Sequence, residues 1–461
     1  MKMENFWDFK VWSGFNLVSV LLISLLVASI LKKIFPALKA SLVPTSVLGG
    51  GILIVVAGVY KLITGDIMFD TPFFGGNGTA MLEIITYHAL ALGFVASTLK
   101  PSGSKMTKQR TTEIFNTGVT TVSTYLLQGV CGMIVSMVAA LLVKDFFPAA
   151  GLLLPFGYGQ GTGQALNYGG IYEYDFGFLG GKSFGLTVAA LGFLSASFGG
   201  VAHLILLKRR GQITPPSEMG DDLYGQQIQS PDESPMQESI DKLTVQTALI
   251  GLSYLLAYLL MMLLGSLLPG MKSVIYGFNF LLGVLTASLV KATLNFLRRK
   301  KLLRRDHTNS FLLTRASNFC FDIMVVAGIA AIRLSALEDY WGIILIMGVI
   351  GLGVTYAYNH FVAHTLFTEY PEEQFLMMFG MLTGTASTGT ILLREIDSEF
   401  KTPASDNMVY QNFPAIVFGF PIMLLATVAP IRPVLVTVIL ALFFLVMNVI
   451  LFRSKIFKKK A

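Results

Sequence analysis

Runs of about twenty apolar residues, the length that crosses a bilayer as a helix, recur from end to end of this 461-residue chain. That recurrence narrows the possible folds more than any motif does. In hydrocarbon the chain must satisfy its own backbone N–H and C=O groups, so such a run normally demands an unbroken helix. Charged residues make up 13% of the sequence, against about 25% in a soluble domain. The chain therefore reads as an all-α integral membrane protein. Its net charge of +7 is no nucleic-acid signal, because Lys and Arg cluster in short loops beside apolar runs.

Helices are expected over 11–31, 40–60, 80–99, 114–143 and 184–207, then over 243–268, 273–290, 316–334, 341–367, 408–429 and 434–451. That is about 11 transmembrane helices. Basic residues cluster at Lys32, Lys33 and Lys39, at 100–110, at 208–210, at 298–305 and at the end of the chain. The loops between them are acidic or nearly uncharged. Positive-inside alternation fits every loop if the N-terminus is outside the plasma membrane and the C-terminus cytoplasmic. It fits only if two remaining runs, about 148–172 and 373–394, re-enter the side they came from. Segment 208–242 is rich in Pro, Gln and Ser without apolar periodicity and reads as a disordered cytoplasmic linker. It divides the chain into a repeat over 1–207 and a second over 243–431, followed by an extra C-terminal helix and basic tail over 432–461. Five spans is an odd number, so the halves enter the membrane in opposite senses, as inverted five-helix repeats with one Gly-rich re-entrant hairpin each.

The two odd runs carry the chemistry. "FGYGQGTGQALNYGG" (156–170) has glycine at every second position from 157 to 163, and no charge occurs between Phe146 and Tyr172. "MLTGTASTGT" (381–390) is dense in hydroxyls. Non-helical backbone at membrane depth is tolerated only where protein buries it or it lines a wet cavity. Tips entering from opposite sides would meet near the midplane. Helix N-termini would there face anionic groups, and bare carbonyls and hydroxyls would face an alkali cation.

"YGQGTGQA" (158–165) resembles the G-G-H-G-T-G signature of the sodium:glutamate symporter family. "PTSVLGG" (44–50), "ALGFVASTLKPSG" (91–103) and "LTGTASTGTILL" (382–393) are similar to other motifs of that family. Two departures stand out: Gln160 occupies the His position, and the second hairpin lacks the family's proline. The resemblance implies a Na⁺-coupled secondary active symporter importing a small organic anion, glutamate or a related amino acid, by an elevator-like alternating-access motion. It also implies a homodimer in lipid, with substrate and ion sites at the two tips. Substrate ligands are then expected among Gln160, Gly161, Thr162, Gly163, Gln164, Thr385, Ser387, Thr388 and Arg394. Na⁺ ligands are expected among Gly159, Asn167, Thr383, Gly384, Asp322 and Asn318. Asp322 is singled out as an ionisable group within a span, and Arg394 because an arginine can hold a carboxylate in bidentate fashion. Asn359, His360 and His364 read as interfacial.

A 2-hydroxycarboxylate or di- or tricarboxylate:Na⁺ symporter is the sibling reading, since it shares paired Gly-rich hairpins. A cation channel is the alternative of another class, with "TGTASTGT" as a carbonyl-lined filter. No H-E-x-x-H, no paired Cys/His spacing that suggests zinc and no phosphate loop occurs, so the expectation is a gradient-driven carrier rather than an enzyme, with Na⁺ as the coupling ion and no organic cofactor.

Overall fold

The computed structural model describes residues 5–100, 107–211, 240–269, 272–303, 305–338, 340–397 and 401–456. Most of the linker expected at 208–242 lies outside the described residues, as does much of the 100–110 loop.

The described residues are helical from end to end. Helices α1 (Phe9–Ile34), α2 (Pro36–Ala40), α3 (Thr45–Thr64), α4 (Gly78–Leu99) and α5 (Lys108–Leu142) come first. Then follow α6 (Gln160–Phe176), α7 (Gly181–Arg209), α8 (Lys242–Leu267), α9 (Lys272–Gly277), α10 (Asn279–Arg299) and α11 (Ser310–Ala330). The chain continues through α12 (Trp341–Leu366), α13 (Pro371–Thr383), α14 (Ala386–Arg394), α15 (Ala404–Tyr410), α16 (Asn412–Val428), α17 (Pro433–Leu451) and α18 (Arg453–Ile456). Local chemistry sets their ends. Thr107 caps α5 by accepting from the Arg110 N–H, and Asp241 caps α8 through the Leu243 N–H. Pro371 and Pro433 open α13 and α17, where the missing N–H costs nothing. Gly65 and Gly177 stop α3 and α6 in the left-handed conformation.

Among the described residues ten helices are long and apolar enough to cross a membrane. They leave large apolar side chains facing outward, such as Leu442, Leu445, Val446 and Val449 on α17. Such an outer surface suits lipid, not water. The run expected as one helix over 408–429 is instead two, α15 and α16, with Gln411 between them. Pro414 explains the interruption: its ring would clash with the Tyr410 carbonyl in a continuous helix. The helix expected over 273–290 likewise comes as α9 and α10, the latter running on to Arg299.

The chain forms two compact units that follow packing rather than chain order. One holds residues Met1–Glu83, Met106–Pro216 and Val325–Ala461; the other holds Ile84–Lys105 and Ser217–Met324. In the smaller unit Val95, Ala96 and Leu99 of α4 pack with Ile250, Ala287, Val290 and Leu313. Polar bonds tie the same helices: Tyr87 Oη donates to the Tyr276 carbonyl at 2.7 Å, and His88 Nδ1 lies 2.8 Å from Tyr254 Oη. His88 is thus a helix-packing group.

In the larger unit α5 is central. Its buried face runs from Ile114 to Ala139, and small residues bring neighbours onto its backbone. A Cβ at Gly132 would strike the Gly151 carbonyl, and one at Gly118 would lie 2.6 Å from the Pro414 ring. Small residues at crossings let helix backbones approach in this way. Glu83, at the boundary of this unit, forms a 2.6 Å ion pair with Lys182.

Candidate functional site at two helix breaks

Both Gly-rich runs interrupt their helices. In the first, the chain passes through a 3₁₀ turn (Ala150–Leu152) and a wide π turn (Pro155–Gly159) before α6. Gly161 then has φ 79° and ψ −171°, a region that essentially only glycine enters. Regular helix begins beyond it. The Phe156 and Tyr168 rings stack with centroids 3.9 Å apart, whereas an unbroken helix would separate these residues by about 18 Å. The chain therefore folds back at Gly161.

In the second run α13 ends at Thr383, Gly384 follows at φ −141° and ψ −106°, and Thr385 is extended, with φ −139° and ψ 169°. Thr385 Oγ1 accepts from the Thr388 N–H at 3.4 Å and caps α14. The two arms lie backbone to backbone. A Cβ at Gly380 would be 2.6 Å from Gly389 Cα, and one at Gly389 would strike the Met377 carbonyl. This is a helical hairpin.

The two breaks meet. A Cβ at Gly192 on α7 would strike the Thr383 carbonyl and lie 3.1 Å from the Tyr158 ring, one contact from each run. On α5, Gln128 spans the same junction. Its Nε2 donates to the Leu382 carbonyl at 2.9 Å and to Thr355 Oγ1 at 2.8 Å. Its Oε1 has no hydrogen-bond partner, and a Cβ on Gly159 would come within 3.3 Å of it. Tyr125, one turn earlier, donates its hydroxyl to the Gly159 carbonyl at 3.0 Å. Tyr158 Oη donates to the Gly348 carbonyl at 2.7 Å and lies 2.9 Å from Ser195 Oγ.

A column of polar groups runs along α5 from this junction. Thr117, Thr120, Thr121, Thr124 and Gln128 are wholly buried. Asn359 of α12, also wholly buried, donates to Thr124 Oγ1 at 3.3 Å and to the Thr355 carbonyl at 2.9 Å. Gln374 donates to Thr117 Oγ1 and accepts from Asn407, which also donates to the Tyr370 hydroxyl; Tyr370 in turn donates to Glu113. Buried side-chain atoms without a hydrogen-bond partner include Gln128 Oε1 and Gln164 Nε2 at the breaks, and Thr121 Oγ1 and Asn359 Oδ1 on α5 and α12. A buried polar atom left unmatched costs about 1–3 kcal/mol, so a concentration of them implies a ligand, ion or water.

The structure gathers most of the residues expected from the sequence. Gly159, Gly161, Thr162, Gly163 and Gln164 are buried around the first break, with Gln160 and Asn167 partly buried. Asn167 Nδ2 donates to Gln164 Oε1 at 3.4 Å. Thr383, Gly384 and Thr388 are buried at the second break with Thr385 between them; Thr383 Oγ1 donates to the Phe379 carbonyl at 2.6 Å. Ser387 opens α14, but its side chain lies outside the described residues. Arg394 is not brought in. It is exposed at the far end of α14, about 13 Å along the helix from Thr385. Asp322 and Asn318 lie exposed on α11, in the smaller unit.

The loop after α14 is fixed by Asp397, which accepts from the Lys401 and Thr402 N–H groups and the Thr402 hydroxyl. Burial opposes its ionisation, but these bonds outweigh burial and hold its carboxyl below the usual range.

No protein-family model matches the chain, and no curated protein matches it.

Gln128, Thr121, Tyr125 and Gly192 were not singled out in the sequence. The polar run "TGVTTVSTYLLQG" (117–129) inside an apolar span was the available signal.

Proposed function

We propose that this membrane protein is a Na⁺-coupled secondary symporter that imports a small organic anion. Glutamate or a related amino acid is the first substrate class and a di- or tricarboxylate the second. The observation that carries this reading is the convergence of two helix breaks, from different halves of the chain, on Gly192 and Gln128. In the proposal each broken run re-enters the membrane, and the halves are inverted repeats of one carrier working as a homodimer.

The chemistry of the junction supports two ligands of opposite charge. The N-termini of α14 and of the regular part of α6 supply N–H groups and positive dipole ends for a carboxylate. Gln164 Nε2 is a buried donor with no partner beside the first break. The C-terminus of α13 supplies carbonyls, and Gln128 Oε1 is an unmatched amide oxygen between the breaks. Oxygens of this kind suit a hard cation. A bound Na⁺ offsets the charge of the carboxylate in a poorly solvated site. Each net positive charge moved inward also gains about 2.3 kcal/mol per 100 mV of membrane potential.

Proteoliposomes loaded with K⁺ and diluted into Na⁺ test the proposal with glutamate, aspartate, malate and citrate as labelled solutes. The expected result is saturable uptake of at least one of them that is lost when external Na⁺ is replaced by K⁺. Current without saturable uptake would instead identify a cation channel. Uptake indifferent to Na⁺ would remove the coupling ion from the proposal.

A further inference from the structure

A second cluster of chemically capable side chains sits where α13 begins, apart from the junction of the two breaks. Glu372, in the first turn of α13, directs Oε2 at His203 Nε2 of α7, 2.8 Å away, and Oε1 at His364 Nε2 of α12, 3.1 Å away. His360 stacks on His364 with centroids 4.0 Å apart. One ligand atom each from His360, His364 and Glu372 lies within 4.8 Å of the others. The i, i+4 spacing of the two histidines puts both imidazoles on one face of α12.

The hydrogen bonds arrange this group as they do around metal ligands. His364 Nδ1 lies 2.9 Å from the His360 carbonyl. That contact leaves Nε2 directed at Glu372 Oε1, 3.1 Å away, so that both atoms can ligate one cation. Outer partners of metal-binding imidazoles and carboxylates fix orientation in this manner. His203, whose side chain is 2% exposed, fills that role for Glu372; its own Nδ1 lies 2.7 Å from the Tyr356 hydroxyl. Two imidazole nitrogens and one carboxylate oxygen suit zinc-like ions, whereas Mg²⁺ and Ca²⁺ prefer all-oxygen sets. His364 is partly open to solvent, which leaves a route for the ion and room for a fourth, water ligand.

We propose that His360, His364 and Glu372 bind a divalent transition ion of the zinc class, tying the start of α13 to α12. The site is independent of what the two breaks carry. It places an ion clamp at the base of the hairpin whose tip meets Gly192.

The test is metal binding by the purified full chain in detergent, freed of any polyhistidine tag. Co²⁺ absorption serves as the probe and Zn²⁺ as the competitor. The expected result is one saturable Co²⁺ site per chain with visible bands of nitrogen and oxygen coordination, displaced by Zn²⁺. His364→Asn and Glu372→Gln should each weaken binding by about tenfold or more, while His307→Ala, in the loop between α10 and α11, leaves it unchanged. Size-exclusion profiles and metal-free melting temperatures establish that each variant is folded, and either of the two ligand variants suffices. Absence of a saturable site, or equal affinity in the wild type and a folded ligand variant, overturns the proposal. A loss in His307→Ala as large as in the ligand variants overturns it as well.

Discussion

The two helix breaks do the same job by different physics. The first is a matter of backbone angle: Gly161 sits at φ 79° with ψ −171°, where a side chain costs of order 1–3 kcal/mol. The second has no positive φ, and it depends on space and a cap. Gly380 and Gly389 let α13 and α14 touch, and Thr385 closes the start of α14. One break is held by what glycine can do, the other by what glycine leaves out. Variants at the two should therefore fail differently.

The largest effect is expected at Gly161. Gly161→Val should abolish solute uptake while membrane insertion and expression persist, and uptake at wild-type rates would contradict the angular account of the first break. Next comes Gln128→Leu, which deletes the bond to Leu382 and the unmatched oxygen between the breaks. The apparent Na⁺ affinity should fall by about fivefold or more, the factor that corresponds to 1 kcal/mol or more, and the Na⁺ dependence of uptake reads it. An unchanged Na⁺ dependence would remove Gln128 from the ion site. Gly389→Ala tests the space-dependent break: its methyl meets the Met377 carbonyl, so the melting temperature should drop. A neutral result there would mean that the arms can separate without loss.

Smaller effects sharpen the contrast. Thr385→Ala should lower stability by about 1 kcal/mol, the usual worth of such a cap, and Thr385→Ser should restore it, both measured by thermal unfolding. The smallest effect is expected at Arg394. Arg394→Gln should leave the substrate KM unaltered, because the guanidinium group is carried away from the break along α14. A raised KM for the anions tested would bring it back to the site.

The same contrast explains what could be read from the sequence. The apolar runs announce their helices, and the alternating glycines at 157–163 announce the first break because so many in so short a run weaken a helix. The second break is legible from its hydroxyl-rich stretch, although not its position between Thr383 and Ala386. Other features depend on packing across long sequence separations. Gln128 is one amide in an apolar span until the fold brings Leu382 to it. Nothing around Asn359 in the sequence shows that packing against Thr124 buries it completely. Arg394 misleads in the opposite direction, since nearness in sequence to the break becomes distance once α14 is helical. The interruption at Gln411 is signalled by Pro414 and by the polar Gln411 and Asn412 before it.

Protection of the two breaks by one ligand tests the central claim most directly. In a background with Cys131 and Cys320 changed to Ser, single cysteines at Gln160 and at Thr385 are labelled with a thiol reagent. Labelling rates are compared in Na⁺, in K⁺, and in Na⁺ with the transported anion. A shared site predicts that the same anion slows labelling at both positions in Na⁺ and at neither in K⁺. Protection at one break alone, or at both regardless of the cation, would contradict it.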